Sequence, residues 1–183
     1  MSKKVVTGEV RFSFPHLFEP HAFDPEKDKP KYSTMILIPK TDKKTMEKIR
    51  AAEEAAIQDG IATVWKGKKP KKINSVIKDG DDDADEYPER EGHWYMSVRS
   101  DTRPQVVDAA VQPIISPDEV YSGMFGRVSI NAFAYSHAGN NGVGFGLNNV
   151  QKTADGESLA GGTTAEEDFD PIDDFDEDDD DLI

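Results

Sequence analysis

The densest positive charge in this chain lies in segment 66–72, which reads Lys-Gly-Lys-Lys-Pro-Lys-Lys. Five ammonium groups within seven residues attract phosphates, because each contact displaces counterions from a polyanion. The same composition also suits a loop that is simply solvated, so the segment alone does not decide between these interpretations. The candidate phosphate ligands of this lysine run are Lys66, Lys68, Lys69, Lys71 and Lys72.

Aromatic rings and arginines accompany these lysines on predicted strand faces. Residues 93–108 and 121–135 are predicted strands, because parts of each alternate between apolar and polar side chains, which is the period-two pattern of half-buried strands. Cations that follow phosphates, combined with rings on which bases stack, are the mixture found in single-strand nucleic-acid binders. An alternative is that the outward rings close a barrel or an oligomer interface. The candidates on the faces opposite the apolar side are Arg11, Tyr95, Arg99, Arg127, Phe133 and Tyr135.

Residue patterns that would support catalysis are weak. The four histidines lack metal-ligand spacing, and a chain without cysteine has no thiolate ligand or disulfide. The glycines of 142–146 are not followed by the helix that a phosphate-binding loop requires. The carboxylates of 79–85 do not match a calcium loop and favour a solvated acidic loop, with a magnesium-dependent nuclease as an alternative. We therefore expect no enzymatic activity and no cofactor or metal.

The net charge of −14 lies entirely in the C-terminal segment 153–183, which holds fourteen carboxylates and no Lys or Arg. Residues 1–152 carry 22 acidic and 22 basic side chains and are formally neutral. Such a block of like charge predicts a disordered tail attached to a folded domain of residues 1–152. A tethered polyanion would compete with nucleic acid for a basic groove at an effective concentration of order millimolar.

Apolar side chains within the tail distinguish an interaction segment from one that only confers solubility, which is the simpler alternative. The hypothesis is that the tail, once displaced by nucleic acid, binds partner proteins through its end. The candidate partner-binding residues are Phe175, Asp178, Asp179, Asp180, Asp181, Leu182 and Ile183.

The elements that must position these residues are mostly strands. Alternation predicts a strand over 5–14 that ends at Pro15, with Phe14 on the apolar face, and another over 32–38. One helix is predicted from Thr41 or Asp42 to a terminator at Gly60, followed by a short strand over 61–65. A Gly/Asn turn at 139–142 predicts a hairpin. Five or six strands with one helix favour an all-β fold built as a small antiparallel barrel.

Three segments resemble a known family: 10–20 (Val-Arg-Phe-Ser-Phe-Pro-His-Leu-Phe-Glu-Pro), 121–135 and 144–151. They resemble the bacteriophage single-stranded DNA-binding proteins that were long catalogued as a domain of unknown function. The resemblance implies a five-stranded OB-fold and a role in phage DNA replication, recombination or repair. The acidic tail is similar in layout to those of T7-type and bacterial single-strand binders, although this chain ends in Leu-Ile where those end in Phe.

We therefore expect a sequence-independent single-stranded DNA-binding protein whose tail recruits phage or host replication and recombination proteins. Its expected location is the cytoplasm of the infected bacterium, because no apolar run is long enough for a membrane helix. A homodimer is one option for its assembly. The alternative is an acidic interaction module, or DNA mimic, that inhibits a host DNA-binding protein.

Overall fold

The computed structural model describes residues 2–22, 24–160 and 165–172. Within them, no helix is long and apolar enough to cross a membrane. The helices are Lys43–Ala62 (α1) and Ala165–Asp168 (α2). The strands are Lys4–Val6 (β1), Val10–His21 (β2), Lys31–Pro39 (β3), Asn74–Ser75 (β4), Lys78–Asp79 (β5), His93–Ser100 (β6), Gln105–Val107 (β7), Phe125–His137 (β8) and Asn140–Ala154 (β9).

Five of these strands pair in a closed ring, in the order β2-β3-β6-β9-β8 and back to β2. Every pairing in the ring is antiparallel except that between β6 and β9, which is parallel. The prediction of a β-rich fold with one main helix and a five-stranded barrel is confirmed. The β6–β9 pair in the ring is parallel, as are the pairings of the short strands β4 and β7 with β9, which departs from the predicted antiparallel arrangement.

Alternate side chains of the ring fill the barrel interior. Phe12, Ile36, Val98 and Ile130 come from four different strands and are fully buried. Burying an apolar side chain of this size stabilises the fold by about 1.5–3 kcal/mol. Helix α1 packs against β8 and β1 and buries Ile49 with neighbouring alanines. The face of α1 that carries these buried residues therefore covers the barrel.

Gly60 lies inside α1 instead of ending it, so the predicted terminator and the strand at 61–65 are both wrong. A Cβ on Gly60 would lie 2.5 Å from the Cβ of Ala134 and 2.9 Å from the Trp65 ring. Glycine is required there because helix and barrel approach closely, and the helix continues to Ala62.

Strand β2 runs through Pro15 to His21, which corrects the predicted end of that strand. Its register with β3 shifts between Ser13 and His16 and again between His16 and His21. Proline is tolerated at such bulges, where a ladder hydrogen bond is already missing. The β8–β9 hairpin is present. Its two turn residues are Ala138 and Gly139, both with positive φ, whereas the predicted turn spans 139–142.

Candidate nucleic-acid interface

A groove runs across the outer face of the barrel strands. The register places His16 of β2 opposite Ser33 of β3, Ser33 opposite Arg99 of β6, and Arg99 opposite Gly146 of β9. A concavity that includes His16 and Ser33 and another that includes Phe133 and Tyr135 share Ser97 and Arg99, so the two join into one groove along this row. We call it the transverse groove, and it has aromatic side chains at both ends.

Phe133 and Tyr135 form the β8 end of the transverse groove. They pair with Gly144 and Gly142 of β9. A Cβ on Gly144 would lie 2.8 Å from the Phe133 ring, and one on Gly142 would lie 2.6 Å from the Tyr135 hydroxyl. The two glycines therefore let both rings lie against the backbone of β9, with centroids 6.5 Å apart. Phe133 remains 49 % exposed.

Arg99 joins these rings in one concavity of about 510 Å³. Lys31 and Ser97 also line it, together with Asp101. Lys31 forms a long ion pair of 3.9 Å with Asp101, at a solvent-exposed position where such pairs contribute little. Three predicted residues from two strands, Arg99 on β6 with Phe133 and Tyr135 on β8, thus line a single site.

Phe14 lies at the other end of the transverse groove, although its alternation with Phe12 predicts a core position. Its φ of 51° and the adjacent bulge turn the ring outward, and 54 % of it is exposed. Positive φ is unusual for a bulky residue and costs of order 1–3 kcal/mol. The signal in the sequence is Pro15, which marks an irregular strand and with it a break in the alternation.

Two histidines stack beside Phe14. The rings of His16 and His21 are nearly parallel, with centroids 4.2 Å apart and an interplanar angle of 12°. Burial, and then the nearby charge of His21, hold the pKa of the His16 imidazole below its usual value. Sequence analysis considered these residues only as metal ligands and missed their pairing, because the bulges in β2 determine it.

Tyr95 is covered, so the prediction that its ring faces solvent is wrong. Only 6 % of it is exposed. Its hydroxyl donates to the Asp83 carboxylate, and the Arg90 guanidinium lies 4.4 Å from its ring centroid. Burial, followed by the hydrogen bond with Asp83, raises the pKa of the Tyr95 hydroxyl. Segment 80–90 folds over this part of β6, which a strand pattern does not reveal.

Arg90 was not predicted as a site residue, yet it lines the Phe14 end of the transverse groove. Its guanidinium is held between the rings of Tyr87, at 3.7 Å, and Tyr95. An ion pair of 3.6 Å to Asp83 compensates the burial of its charge. A fixed cation therefore stands beneath this end of the groove.

Arg11 and Arg127 do not line the transverse groove, so its geometry does not support their predicted role in nucleic-acid binding. Arg11 donates to the carbonyls of Gly123 and Glu157, at 3.1 and 2.7 Å. Arg127 donates to the carbonyl of Thr7 at 2.9 Å. Six residues of β8, or about 20 Å, separate Arg127 from Phe133, so a shared strand face does not bring them to one site.

The lysine run lies beyond the β8 end of the transverse groove. Its side chains are exposed, and Lys66 and Gly67 both have positive φ. Lys72 precedes Asn74 by two residues, and Asn74 pairs with Gly142 beside Tyr135. At most about 7 Å of chain therefore separates Lys72 from the strand that supports that ring. Within the described ranges, none of the five ammonium groups forms a salt bridge.

Three carboxylates of segment 79–85, those of Asp79, Asp81 and Asp83, are paired with cations of the fold. Lys40 donates to Asp79 and to Asp81, both at 2.6 Å, and these hydrogen bonds are the main cause that lowers the pKa of each carboxyl group. Asp83 contacts Tyr95 and Arg90 as described. Among residues 2–22, 24–160 and 165–172, no cluster of His, Asp and Glu could hold a metal ion.

The segment that follows β9 is packed on the barrel. The Leu159 amide donates to the Ser122 carbonyl at 2.8 Å, and the Tyr121 hydroxyl donates to Asp155 at 2.9 Å. A Cβ on Gly123 would lie 2.1 Å from the Glu157 carbonyl oxygen, so the contact requires glycine. Contacts with the barrel thus continue beyond the predicted boundary at residue 152. We call residues 155–159 the strap.

The strap fixes where the acidic tail begins. Ser122, which binds Leu159, also accepts a hydrogen bond from the Phe14 amide through its side chain. The tail therefore starts near the Phe14 end of the transverse groove. The predicted partner-binding residues lie outside the described part of the chain, and their role stays a prediction: Phe175, Asp178, Asp179, Asp180, Asp181, Leu182 and Ile183.

Comparison with known proteins gives relatives from phages. "Putative protein p50" of Acyrthosiphon pisum secondary endosymbiont phage 1 is 32% identical over 180 residues, which cover 92% of this chain and 94% of the relative. The single-stranded DNA-binding protein of bacteriophage Enc34, solved in complex with ssDNA, matches with a TM-score of 0.75 and 28% identity, covering 86% of this chain and 90% of that chain.

A more distant structure supports the fold alone. The single-stranded DNA-binding protein gp2.5 of bacteriophage T7 matches with a TM-score of 0.63 at 13% identity, over 95% of this chain and 98% of that one. The family described as "Enterobacter phage Enc34, ssDNA-binding protein" matches residues 3–183, which include the acidic tail. The chain therefore belongs to this family of phage single-stranded DNA-binding proteins.

Proposed function

We propose that this chain binds single-stranded DNA along the transverse groove without sequence preference. The observation that carries the proposal is the concavity in which Arg99 lies with the rings of Phe133 and Tyr135. The solved complex of the Enc34 relative with ssDNA supports it. The Phe14 ring extends the stacking surface to the other end of the groove.

Each group has a separate role in this binding mode. The flat faces of the rings accept any base, and each stacked base contributes about 1–3 kcal/mol. Lys31, Arg99 and the exposed lysine run attract the phosphates, and this contribution weakens as salt rises. Neither ring stacking nor phosphate attraction distinguishes one base from another. Binding of this kind is tolerant of sequence.

The tail is proposed to compete with DNA and to recruit partners. Because the strap ends near Phe14, the first carboxylate beyond it, Glu166, is at most about 25 Å of extended chain from Leu159. A polyanion tethered this close occupies the cationic groove until DNA displaces it. The freed end then binds replication, recombination or repair proteins of the phage or its bacterial host, in the host cytoplasm.

The test is a titration of the full chain with a labelled thymidine oligomer, with and without magnesium, followed by fluorescence anisotropy and by gel electrophoresis of the DNA. The proposal requires saturable binding and an intact oligomer under both conditions. No binding at low salt, even after the tail is removed, would favour the DNA-mimic alternative. Cleavage that requires magnesium would favour the nuclease alternative.

A further inference from the structure

The stacked histidines lie in a cationic part of the transverse groove. Both rings line a cavity of about 420 Å³ with Phe14 and Arg99. In the strand register, His16 stands opposite Ser33, which pairs on its other side with Arg99, and His21 stands opposite Lys31. Lys31 on the neighbouring strand, which also forms an ion pair of 3.9 Å with Asp101, and Arg99 on the strand beyond it thus lie near the imidazole pair.

The wider surroundings of the pair contain both signs of charge, with the cations in excess. Asp28 is the acidic residue that shares a concavity with His21, and Asp83 is held by Arg90 and Tyr95. The ionisable groups that line the two cavities around the pair are Asp28, Lys29, Lys31, Tyr87, Arg90, Arg99 and His137.

Stacking and burial together oppose protonation of the free protein. Two imidazoles 4.2 Å apart are coupled, because a charge on one disfavours a charge on the other. Burial acts in the same direction on the pKa of His16. A phosphate placed between the pair and Arg99 would instead favour protonation of an imidazole, since an opposite charge within about 4–6 Å favours the charged form.

We propose that the Phe14 end of the groove is a phosphate subsite in which the His16–His21 pair takes up one proton when single-stranded DNA binds. The inference rests on the proposed function and names the chemistry of one part of its site. The proton comes from solvent, and the imidazolium then donates a hydrogen bond to a phosphate oxygen. No bond to the nucleotide is made or broken.

Proton uptake has a measurable consequence. Where one proton is taken up, affinity rises by up to about tenfold for each unit by which the pH falls. Histidine is the side chain whose ordinary pKa lies in this range, whereas an ordinary carboxyl group is already charged throughout it. The added cation also steepens the dependence of log affinity on log salt by about 0.7.

The experiment measures the affinity of the full chain for a thymidine oligomer from pH 5.5 to 8.0 at constant ionic strength. Wild-type protein and His93→Gln should bind more tightly as the pH falls. His93 is the matched control, because it lies on β6 with its Nδ1 against the Glu91 carbonyl. His16→Gln combined with His21→Gln should flatten the profile. The single His21→Gln variant and circular dichroism check that folding is retained.

A wild-type affinity that does not change with pH would overturn the proposal, as would a profile that stays steep in the double variant. A steep profile whose salt dependence is the same at pH 6 and pH 8 would refute the phosphate assignment. Absence of binding at every pH would instead refute the proposed function itself. The two failures are therefore distinguishable.

Discussion

Phe133 and Tyr95 are matched aromatic residues that the structure assigns to different tasks. Alternation predicts both rings on outward strand faces, yet Phe133 is 49 % exposed in the transverse groove and Tyr95 is 6 % exposed beneath segment 80–90. Changing each residue to Ala therefore separates ligand binding from folding. Phe133→Ala should affect DNA binding, and Tyr95→Ala should affect stability.

The expected magnitudes follow from these environments. Loss of one stacked base costs about 1–3 kcal/mol, so Phe133→Ala should weaken binding of single-stranded DNA about 5- to 150-fold. Its salt dependence should be unchanged, because a ring releases no counterions. Tyr95→Ala removes a buried ring and leaves Arg90 with only one aromatic partner, so the free energy of unfolding should fall by about 3–5 kcal/mol.

The assays are urea unfolding followed by circular dichroism and anisotropy titration with a thymidine oligomer. Phe133→Ala should unfold at nearly the wild-type urea concentration, whereas Tyr95→Ala should unfold earlier by a clear margin. Wild-type affinity in Phe133→Ala would refute its role as a stacking surface. A stable Tyr95→Ala protein that has lost DNA binding would show that the tyrosine contacts DNA after all.

Three further predictions follow from other parts of the structure. The first variant neutralises the exposed lysine run by changing Lys68, Lys69, Lys71 and Lys72 to Ala. The slope of log affinity against log salt should fall by about 0.7 for each phosphate that the run neutralises in the wild-type protein. An unchanged slope would exclude the run from the site. Deleting residues 164–183 should leave thermal unfolding unchanged and raise DNA affinity severalfold at low salt, and this gain should shrink as salt is added. If the full chain and the truncated chain bind DNA equally at low salt, only the solubility interpretation of the tail is left. Gly60→Ala should lower the free energy of unfolding, because the added Cβ would lie 2.5 Å from Ala134; in an unobstructed helix the same change would raise it by about 1 kcal/mol.

The barrel could be predicted from the sequence because strand alternation is a local pattern. The faces of β8 follow that pattern, and Phe133 with Tyr135 lie outside as expected. The same rule fails at Phe14, where a bulge and a positive φ interrupt the period of two. It fails differently at Tyr95, whose strand face is correct but is covered by a segment from elsewhere in the chain.

Contacts between distant segments could not be predicted from the sequence. Gly60 resembles a helix terminator, and only the approach of Ala134 shows why glycine is needed inside α1. The stacking of His16 on His21 depends on two bulges that add residues to one strand. Charge placement identified the acidic tail, but the strap that anchors it depends on backbone hydrogen bonds, which side-chain type does not reveal.

The parallel pairing of β6 with β9 has a consequence for the dynamics of the barrel. Strands β6 and β9 lie wholly within the described ranges, and Arg99 with Gly146 is the only residue pair between them. The ring is therefore closed there by fewer hydrogen bonds than between the antiparallel strands β8 and β9. Local opening is expected where backbone hydrogen bonds are few. Arg99 also lies in the transverse groove, so a bound DNA strand would cover the β6–β9 pairing and reduce its local opening. Amide hydrogens near residues 99 and 146 should therefore exchange with solvent early in the free protein and much later in the complex.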